Sequence, residues 1–214
     1  MKPFLLVLSS PSGGGKTTIA RRLLQGRDDL GYSVSATTRP RRATEREGVD
    51  YYFLTREEFR RRVDAGEFLE WATYGGELYG TLRIEVQRLF AQGRVVILDI
   101  EVNGARQVRE REPDSVHVFI LPPSAAALVE RLGRRATESP ANRRRRVELA
   151  ADELAAVSEY DYVIINDDLI AAVSTVAAIV EAEGRRVSRQ RRLIGGIERL
   201  RQEVIEEAGR IADA

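Results

Sequence analysis

Apolar residues are distributed along this chain in two rhythms. Residues 4–8 form an unbroken apolar run, and residues 94–101 form a second that is β-branched and ends in Asp99 and Glu101. Residues 116–121 make a third, stopped by Pro122 and Pro123, and residues 161–166 a fourth. Runs of this length read as parallel strands buried on both faces. Residues 17–25, 83–91, 124–132, 147–158 and 168–183 are instead apolar every three or four positions. That spacing predicts helices. Strands alternating with helices predict an α/β fold with a parallel sheet flanked by helices.

The stretch from about 35 to 82 departs from that rhythm. Residues 32–38 alternate as a strand does, and residues 49–54 read as another strand. Thr55 and Glu58 have the spacing of a capping box, opening a short helix with Phe59 and Val63 and closing near Gly66. Residues 68–74 and 77–81 flank Gly75-Gly76, a hairpin turn signal. This block predicts an inserted, strand-rich sub-domain. The tail, 184–214, is charged, with Ile197, Leu200, Val204 and Ile205 at helical spacing. A helix over roughly 187–210 packs either on the core or on a second subunit, and the sequence does not choose.

Composition narrows the classes. Lys plus Arg is 34 against 33 for Asp plus Glu, so no global field calls for nucleic acid or a membrane. There is no cysteine, which excludes disulfides, thiolate metal sites and a cysteine nucleophile. No apolar run approaches the ~20 residues of a membrane span, and residues 4–8 are too short for a signal peptide. The expectation is a cytoplasmic protein. With 214 residues, 43% of them hydrophobic, one domain with an insertion is expected.

The chemistry concentrates after the first strand, in Ser9-Ser10-Pro11-Ser12-Gly13-Gly14-Gly15-Lys16-Thr17-Thr18. A strand, a glycine-rich turn and a helix in that order make a phosphate-binding loop. Lys16 reaches toward β- and γ-phosphates, and the Thr17 hydroxyl suits Mg²⁺. Ser10 stands where the strict loop pattern has glycine. Asp99, ending a buried strand, belongs near Lys16, where it can hold Mg²⁺ directly or through water, and Glu101 shares its face if the strand stays extended.

Other groups have two readings each. Arg39 and Arg42 either converge on a phosphate dianion or form a solvated loop charge. Tyr51 and Tyr79 are phenol donors or half-buried packing residues. Glu70, between Leu69 and Trp71, either alternates outward or accepts from adjacent purine N–H groups. The arginines at 131, 134, 135 and 143–146 suit a nucleic-acid patch or a lid closing over ATP phosphates. Without interleaved aromatics the lid fits better. His117, in an apolar strand, reads as a packing residue.

Taken in order, these motifs resemble those of bacterial guanylate kinases over nearly the whole chain. The elements are Pro11-Ser12-Gly13-x-Gly15-Lys16-Thr17, Ser35-x-Thr37-Thr38-Arg39-x-x-Arg42, Gly48-Val49-Asp50-Tyr51-x-Phe53, Gly66-Glu67-Phe68-x-Glu70, Tyr79-Gly80-Thr81, Leu98-Asp99-Ile100-Glu101, Arg131-Leu132, Arg135 with Thr137-Glu138, and Asp161-Tyr162 through Asn166-Asp167. The resemblance implies a P-loop core (1–34, 85–125 and 157–214), a GMP-binding insertion at 35–84 and a helical lid at 126–156. It implies phosphoryl transfer from ATP to GMP or dGMP, with Mg²⁺, in purine nucleotide metabolism. By the same resemblance Ser12, Gly13, Gly14, Gly15, Lys16, Thr17, Thr18 and Asn166 bind ATP. Arg39, Arg42, Tyr51 and Tyr79 hold the GMP phosphate, and Ser35, Glu70, Thr81 and Glu101 read the guanine edge. Asp99 lies at the GMP side and, with Thr17, at the metal. Lys16, Arg39, Arg131, Arg135 and Arg146 stabilise the transferring group.

The expected acceptor is a phosphate oxygen, already anionic, so alignment and charge neutralisation suffice without a general base. The chain departs from the family pattern at Ser10, Glu101, Glu112 and Ala136. Two rivals remain: a kinase of the same scaffold with another acceptor, and a guanylate-kinase-like module that binds a partner without catalysis. Nucleotides are the expected partners, without nucleic acid or membrane, and the protein is a monomer or a homo-oligomer through its C-terminal helix.

Overall fold

The computed structural model describes residues 2–133 and 140–212. The chain opens with β1 (Leu5–Ser9), α1 (Lys16–Leu23) and β2 (Leu30–Tyr32). It continues through β3 (Ser35–Thr37), β4 (Tyr52–Phe53), α2 (Arg56–Asp64), β5 (Phe68–Tyr74) and β6 (Glu77–Leu82). Next come α3 (Arg83–Ala91), β7 (Val95–Asp99), α4 (Val102–Arg111) and β8 (Val116–Leu121). The remainder is α5 (Ala125–Gly133), α6 (Pro140–Ala155), β9 (Tyr162–Ile165), α7 (Leu169–Gly184) and α8 (Arg191–Ala212).

Five strands form one parallel sheet in the order β2-β7-β1-β8-β9. Strand β1 lies at its centre and alternates between two cores. Leu6 and Leu8 pack with Ile19 of α1 and Val176 of α7, while Leu5 and Val7 pack with Leu89 of α3 and Val108 of α4. Because side chains alternate faces along a strand, an unbroken apolar run is what two covered faces require. The direction of chain crossing reverses at β1, so the loop after it opens where ligands bind in such sheets.

A second sheet, β4-β3-β6-β5, is inserted between β2 and α3 and has antiparallel β3·β6 and β5·β6 pairs. It covers α2 through Phe59, whose ring stacks on Phe68 at 4.3 Å. The Thr55 hydroxyl caps α2 by accepting from the Glu58 N–H at 3.1 Å. The reciprocal half of the expected box is replaced: the Glu58 carboxylate takes Arg61 and Arg62 instead.

Several sequence expectations shift. The run 32–38 is two strands in different sheets, β2 and β3. Gly31 lies inside β2, where a Cβ would come within 2.7 Å of the Leu89 side chain, so it is a packing glycine. The strand expected at 49–54 contracts to two residues. Helix α6 begins at Pro140, ahead of the expected 147. Helix α4 has no counterpart among the expected elements. Its buried face is only Val102, Gly104, Ala105 and Val108 amid charged residues, too short and too weak to register as a period.

Candidate active site

The loop after β1 is shaped by its glycines. Gly13 and Gly15 have φ of 85° and 96°, a left-handed conformation that side chains disfavour. The Gly14 N–H donates to the Pro11 carbonyl at 2.8 Å, and a Cβ on Gly14 would lie 2.6 Å from that of Ser10. Ser10 is therefore accommodated because Gly14 has no side chain, and its hydroxyl donates to the Pro11 carbonyl at 2.9 Å. The loop ends at the N-terminus of α1, whose unpaired N–H groups favour an anion.

Lys16, the first residue of α1, lies 3.6 Å from Asp99 at the end of β7. Burial pulls its ammonium down, but the charges of Asp99, Glu153, Tyr74 and Glu101 outweigh it and leave it raised. The Thr17 hydroxyl donates to the other oxygen of Asp99. Asp99 Oδ1 is buried and accepts no hydrogen bond among the described residues. A hydroxyl beside a carboxylate whose buried second oxygen makes only the ion pair with Lys16 is a donor set that fits Mg²⁺, a hard cation needing few protein ligands. Among the described residues no cluster of three or more His, Asp or Glu forms a cage, as is usual where phosphates and water complete the coordination. Thr18 is exposed on α1.

Asn166, after β9, has a larger part than its sequence position suggests. Its side-chain N–H donates to the Gly14 carbonyl at 2.9 Å, and its own carbonyl accepts from Arg131 at 3.1 Å. It braces the phosphate loop from the far edge of the sheet. Arg131 Nη1 is buried without a hydrogen-bond partner among the described residues. Arg146, on α6, donates to the Ser12 hydroxyl at 3.2 Å. Arg135 lies outside the described residues.

Glu153 is the group that sequence reasoning missed. Seven residues beyond Arg146 on the same face of α6, its carboxylate accepts from the Ser12 N–H at 2.9 Å. Burial raises its pKa, against the pull of that N–H and of Lys16. Two groups of α6 thus hold one residue of the phosphate loop, and the i to i+7 spacing was the signal available.

In the second sheet, Ser35 pairs in register with Thr81, and Tyr79 with Thr37. Thr81 donates to Glu70 at 2.6 Å, and both are almost fully buried. Glu70 therefore faces inward: the outward alternation considered for it is wrong. The reason is an irregularity in β5·β6 pairing between Phe68 and Glu70, which leaves Phe68, Leu69 and Glu70 all buried in succession. Burial pushes the Glu70 carboxyl up to about 7, against the hydrogen bond from Thr81.

Strand β7 stops at Asp99, so Glu101 does not continue it; Glu101 is the N-cap residue just before α4. Its carboxyl is pushed up to about 7 by burial, then by Glu153, with Glu70 adding and Lys16 opposing. Glu101 thus lies within electrostatic reach of the phosphate loop, of α6 and of the second sheet, and joins them into one site.

Arg39 stacks 5.4 Å over Tyr51, whose ring meets Tyr79 edge-on at 6.1 Å. Arg39 is held by Glu45 at 2.7 Å, a contact that raises its pKa. The Arg42 N–H donates to the same carboxylate at 2.8 Å, while its side chain is 62% exposed. Arg39, Tyr51 and Tyr79 are brought together and Arg42 stands at their rim. Glu45, not singled out from the sequence, already supplies a negative charge between the two arginines. His117 is apart from all of this: it is buried, its Nε2 is 2.8 Å from Ser115 Oγ, and burial holds it down at about 4.

A five-stranded parallel sheet, a glycine loop ending in Gly-Lys-Thr and an acid closing the adjacent strand define a P-loop phosphotransferase. The Guanylate kinase family model matches residues 2–183, so the chain belongs to the guanylate kinase family. A guanylate kinase of Symbiobacterium thermophilum is 50% identical over 188 residues, 88% of this chain and 89% of that protein. One of Thermotoga maritima is 45% identical over 95% of this chain and 97% of its own. The crystal structure of guanylate kinase from Anaplasma phagocytophilum superposes with a TM-score of 0.73 at 36% identity, covering 87% of this chain and 89% of that one. Family membership makes this chain a kinase that phosphorylates GMP with ATP. Among the described residues no helix is long and apolar enough to cross a membrane.

Proposed function

We propose that the two halves of the site divide the substrates. The loop Ser12–Thr18 takes the ATP phosphates on its N–H groups, with Lys16 beside them and Asn166 fixing the loop's shape. The inserted sheet, within 35–84, takes GMP, or dGMP. Glu70 and Glu101 accept from the guanine N–H groups, Ser35 and Thr81 complete that edge, and Arg39, Arg42, Tyr51 and Tyr79 grip the monophosphate. The observation that carries this reading is the buried Glu70–Thr81 hydrogen bond. A carboxylate removed from water with one oxygen already engaged is costly unless a ligand completes its bonding.

The transfer itself needs positioning more than proton chemistry. The GMP phosphate oxygen is the nucleophile and carries its own charge. Lys16, Arg39, Arg131 and Arg146 lower the repulsion between the two phosphate groups, and Arg135, from the segment 126–156, joins them. Asp99 and Thr17 would hold Mg²⁺, which would neutralise charge on the ATP phosphates. Closure of the insertion and of the 126–156 segment over the nucleotides would exclude water. The balance of charge and the expected substrates suit an enzyme of purine nucleotide recycling in the cytoplasm.

The test is ADP formation from ATP·Mg²⁺ with GMP, dGMP, AMP, UMP, CMP and dTMP supplied separately. Turnover confined to GMP and dGMP supports the division. Comparable turnover with AMP or a pyrimidine nucleotide overturns the assignment of Glu70 and Glu101 to guanine.

A further inference from the structure

Helix α4 meets the inserted sheet along one face. Gly104, Gln107 and Arg111 are spaced i, i+3 and i+7, which places them within about 60° of one another around the helix. Another face carries Ala105 and Val108, buried with Leu5 and Val7 of β1 and Leu98 of β7. The helix is thereby fixed to the central core while it reaches β5, the edge strand of the second sheet.

Along that edge α4 takes the place of a further strand. The Gln107 side chain accepts from the Trp71 N–H at 3.3 Å and donates to the Trp71 carbonyl at 2.7 Å. One side-chain amide thus makes both bonds that a neighbouring strand makes to a residue. Two residues earlier, Arg111 Nη1 donates to the Leu69 carbonyl. Leu69 is the residue without a counterpart in β6, where the β5·β6 register shifts. Its side chain packs in the central core with Ala105 and Val108, whereas Phe68 before it packs in the core of the insertion. Glu70 lies between the two anchored residues, its carboxylate against Gly104. The Arg111 charge also draws that carboxyl down, against burial.

We propose that Gln107 and Arg111 are positioning residues for GMP, which grip the β5 backbone on either side of Glu70 and so fix its distance from Glu101. The inference rests on the reading of Glu70 and Glu101 as the acceptors of guanine N–H groups. Glu101 immediately precedes α4, so a single helix is tied to both acids. Two acceptors serve neighbouring N–H groups of one purine only if their separation is held to about 0.5 Å. A bulge interrupts the ladder that would otherwise hold Glu70, and the two α4 side chains replace the lost restraint. Neither needs to touch the nucleotide.

Steady-state kinetics, with each substrate varied in turn, tests this on the full chain. Gln107→Ala and Arg111→Met should each raise KM for GMP about fivefold or more, with kcat and KM for ATP little changed. Gln107→Glu keeps the volume and the acceptor for the Trp71 N–H but turns a second oxygen on the Trp71 carbonyl, and should do the same. Arg111→Lys, which keeps a donor and the charge, should restore most of the affinity. Because Gln107 acts through Glu70, Gln107→Ala/Glu70→Gln should have a kcat/KM for GMP within about twofold of Glu70→Gln alone. An unchanged KM for GMP in the Gln107 variants, while Glu70→Gln raises it, overturns the inference and leaves the guanine reading in place. An unchanged KM for GMP in Glu70→Gln overturns that reading and the inference with it. Full additivity in the double variant, or a matching rise in KM for ATP, means that α4 supports the fold rather than Glu70, and overturns the inference.

Discussion

The carboxylate of Glu70 fills the space that a side chain at position 104 would need. A Cβ on Gly104 would overlap Glu70 Oε2 and come within 3.1 Å of its Cδ. Gly104 lies in the first turn of α4, where glycine weakens a helix by roughly 0.5–1 kcal/mol against alanine. Helix α4 forgoes that stability and leaves room for a buried acid. Gly104→Ala is expected to displace Glu70, and the helix propensity gained in α4 offsets only part of the cost of disturbing the buried hydrogen bond to Thr81. KM for GMP should rise about tenfold or more, the size of a disturbed hydrogen bond to a charged group, with KM for ATP unchanged. An unaltered KM for GMP in the folded variant would show that Glu70 has other room to move.

Glu70→Gln keeps the shape and removes the charge. One acceptor oxygen becomes a donor facing guanine donors, so kcat/KM for GMP should fall by roughly 10²–10⁴, the range for a recognition site left mismatched. Steady-state kinetics with each substrate varied in turn checks this. An equal loss for ATP would place Glu70 outside guanine recognition.

Glu70 and Glu101 both have carboxyls pushed up to about 7 by burial. As acceptors they must be ionised. Lowering the pH from 8.5 to 6.5 should therefore weaken GMP binding, with the loss centred near 7 and above the phosphate's own second ionisation near ~6. The sign for stability is opposite. The folded protein binds these protons more tightly than the unfolded chain, so their protonation stabilises the fold as pH falls from 7 toward 4.5. Calorimetric titration with GMP and thermal melts over the same range separate the two effects.

Glu153 and Arg146 hold Ser12 from one face of α6. Glu153→Gln keeps an acceptor but removes the charge beside Lys16, and Glu153→Ala releases the Ser12 N–H. KM for ATP should rise modestly, about threefold in Gln and about tenfold in Ala, since a hydrogen bond to a charged group contributes ~1.5–3 kcal/mol. KM for GMP should stay within twofold. A change in GMP alone would show that Glu153 acts through Glu101 instead.

Lys16→Ala removes the cation that Asp99 and the loop are built around. Turnover should drop by about 10³ or more with the fold intact by circular dichroism. Retained turnover would show that the loop does not bind the reacting phosphates.

The central sheet was legible because its strands are buried on both faces. A run such as residues 4–8 is too short and too uniformly apolar to suit anything but a buried strand, and the glycine loop with Gly15, Lys16 and Thr17 follows it directly. The strands of 68–74 and 77–81 were equally plain, since Gly75-Gly76 fixes their turn. Helix α4 was not, because its buried face is short and contains a glycine whose purpose is a contact with a residue 34 positions away. Ser10 departs from the strict loop pattern, and only the folded loop sets it against Gly14, whose missing side chain leaves it room.

The sequence by itself determined the residue types: a lysine and threonine after a glycine loop, acids at the end of a strand, arginines and tyrosines in an insertion. Local pattern suffices there, because strand, turn and helix preferences act over a few residues. Only the tertiary structure decided that Glu70 turns inward onto Thr81 and Gly104, that Glu101 stands just before a helix, between three elements, and that Glu153 reaches Ser12. These depend on pairing irregularities and helix packing across distant segments, whose energies no local window contains. For α8 the sequence wrote an apolar stripe at helical spacing, and the structure decided that this chain leaves that face exposed.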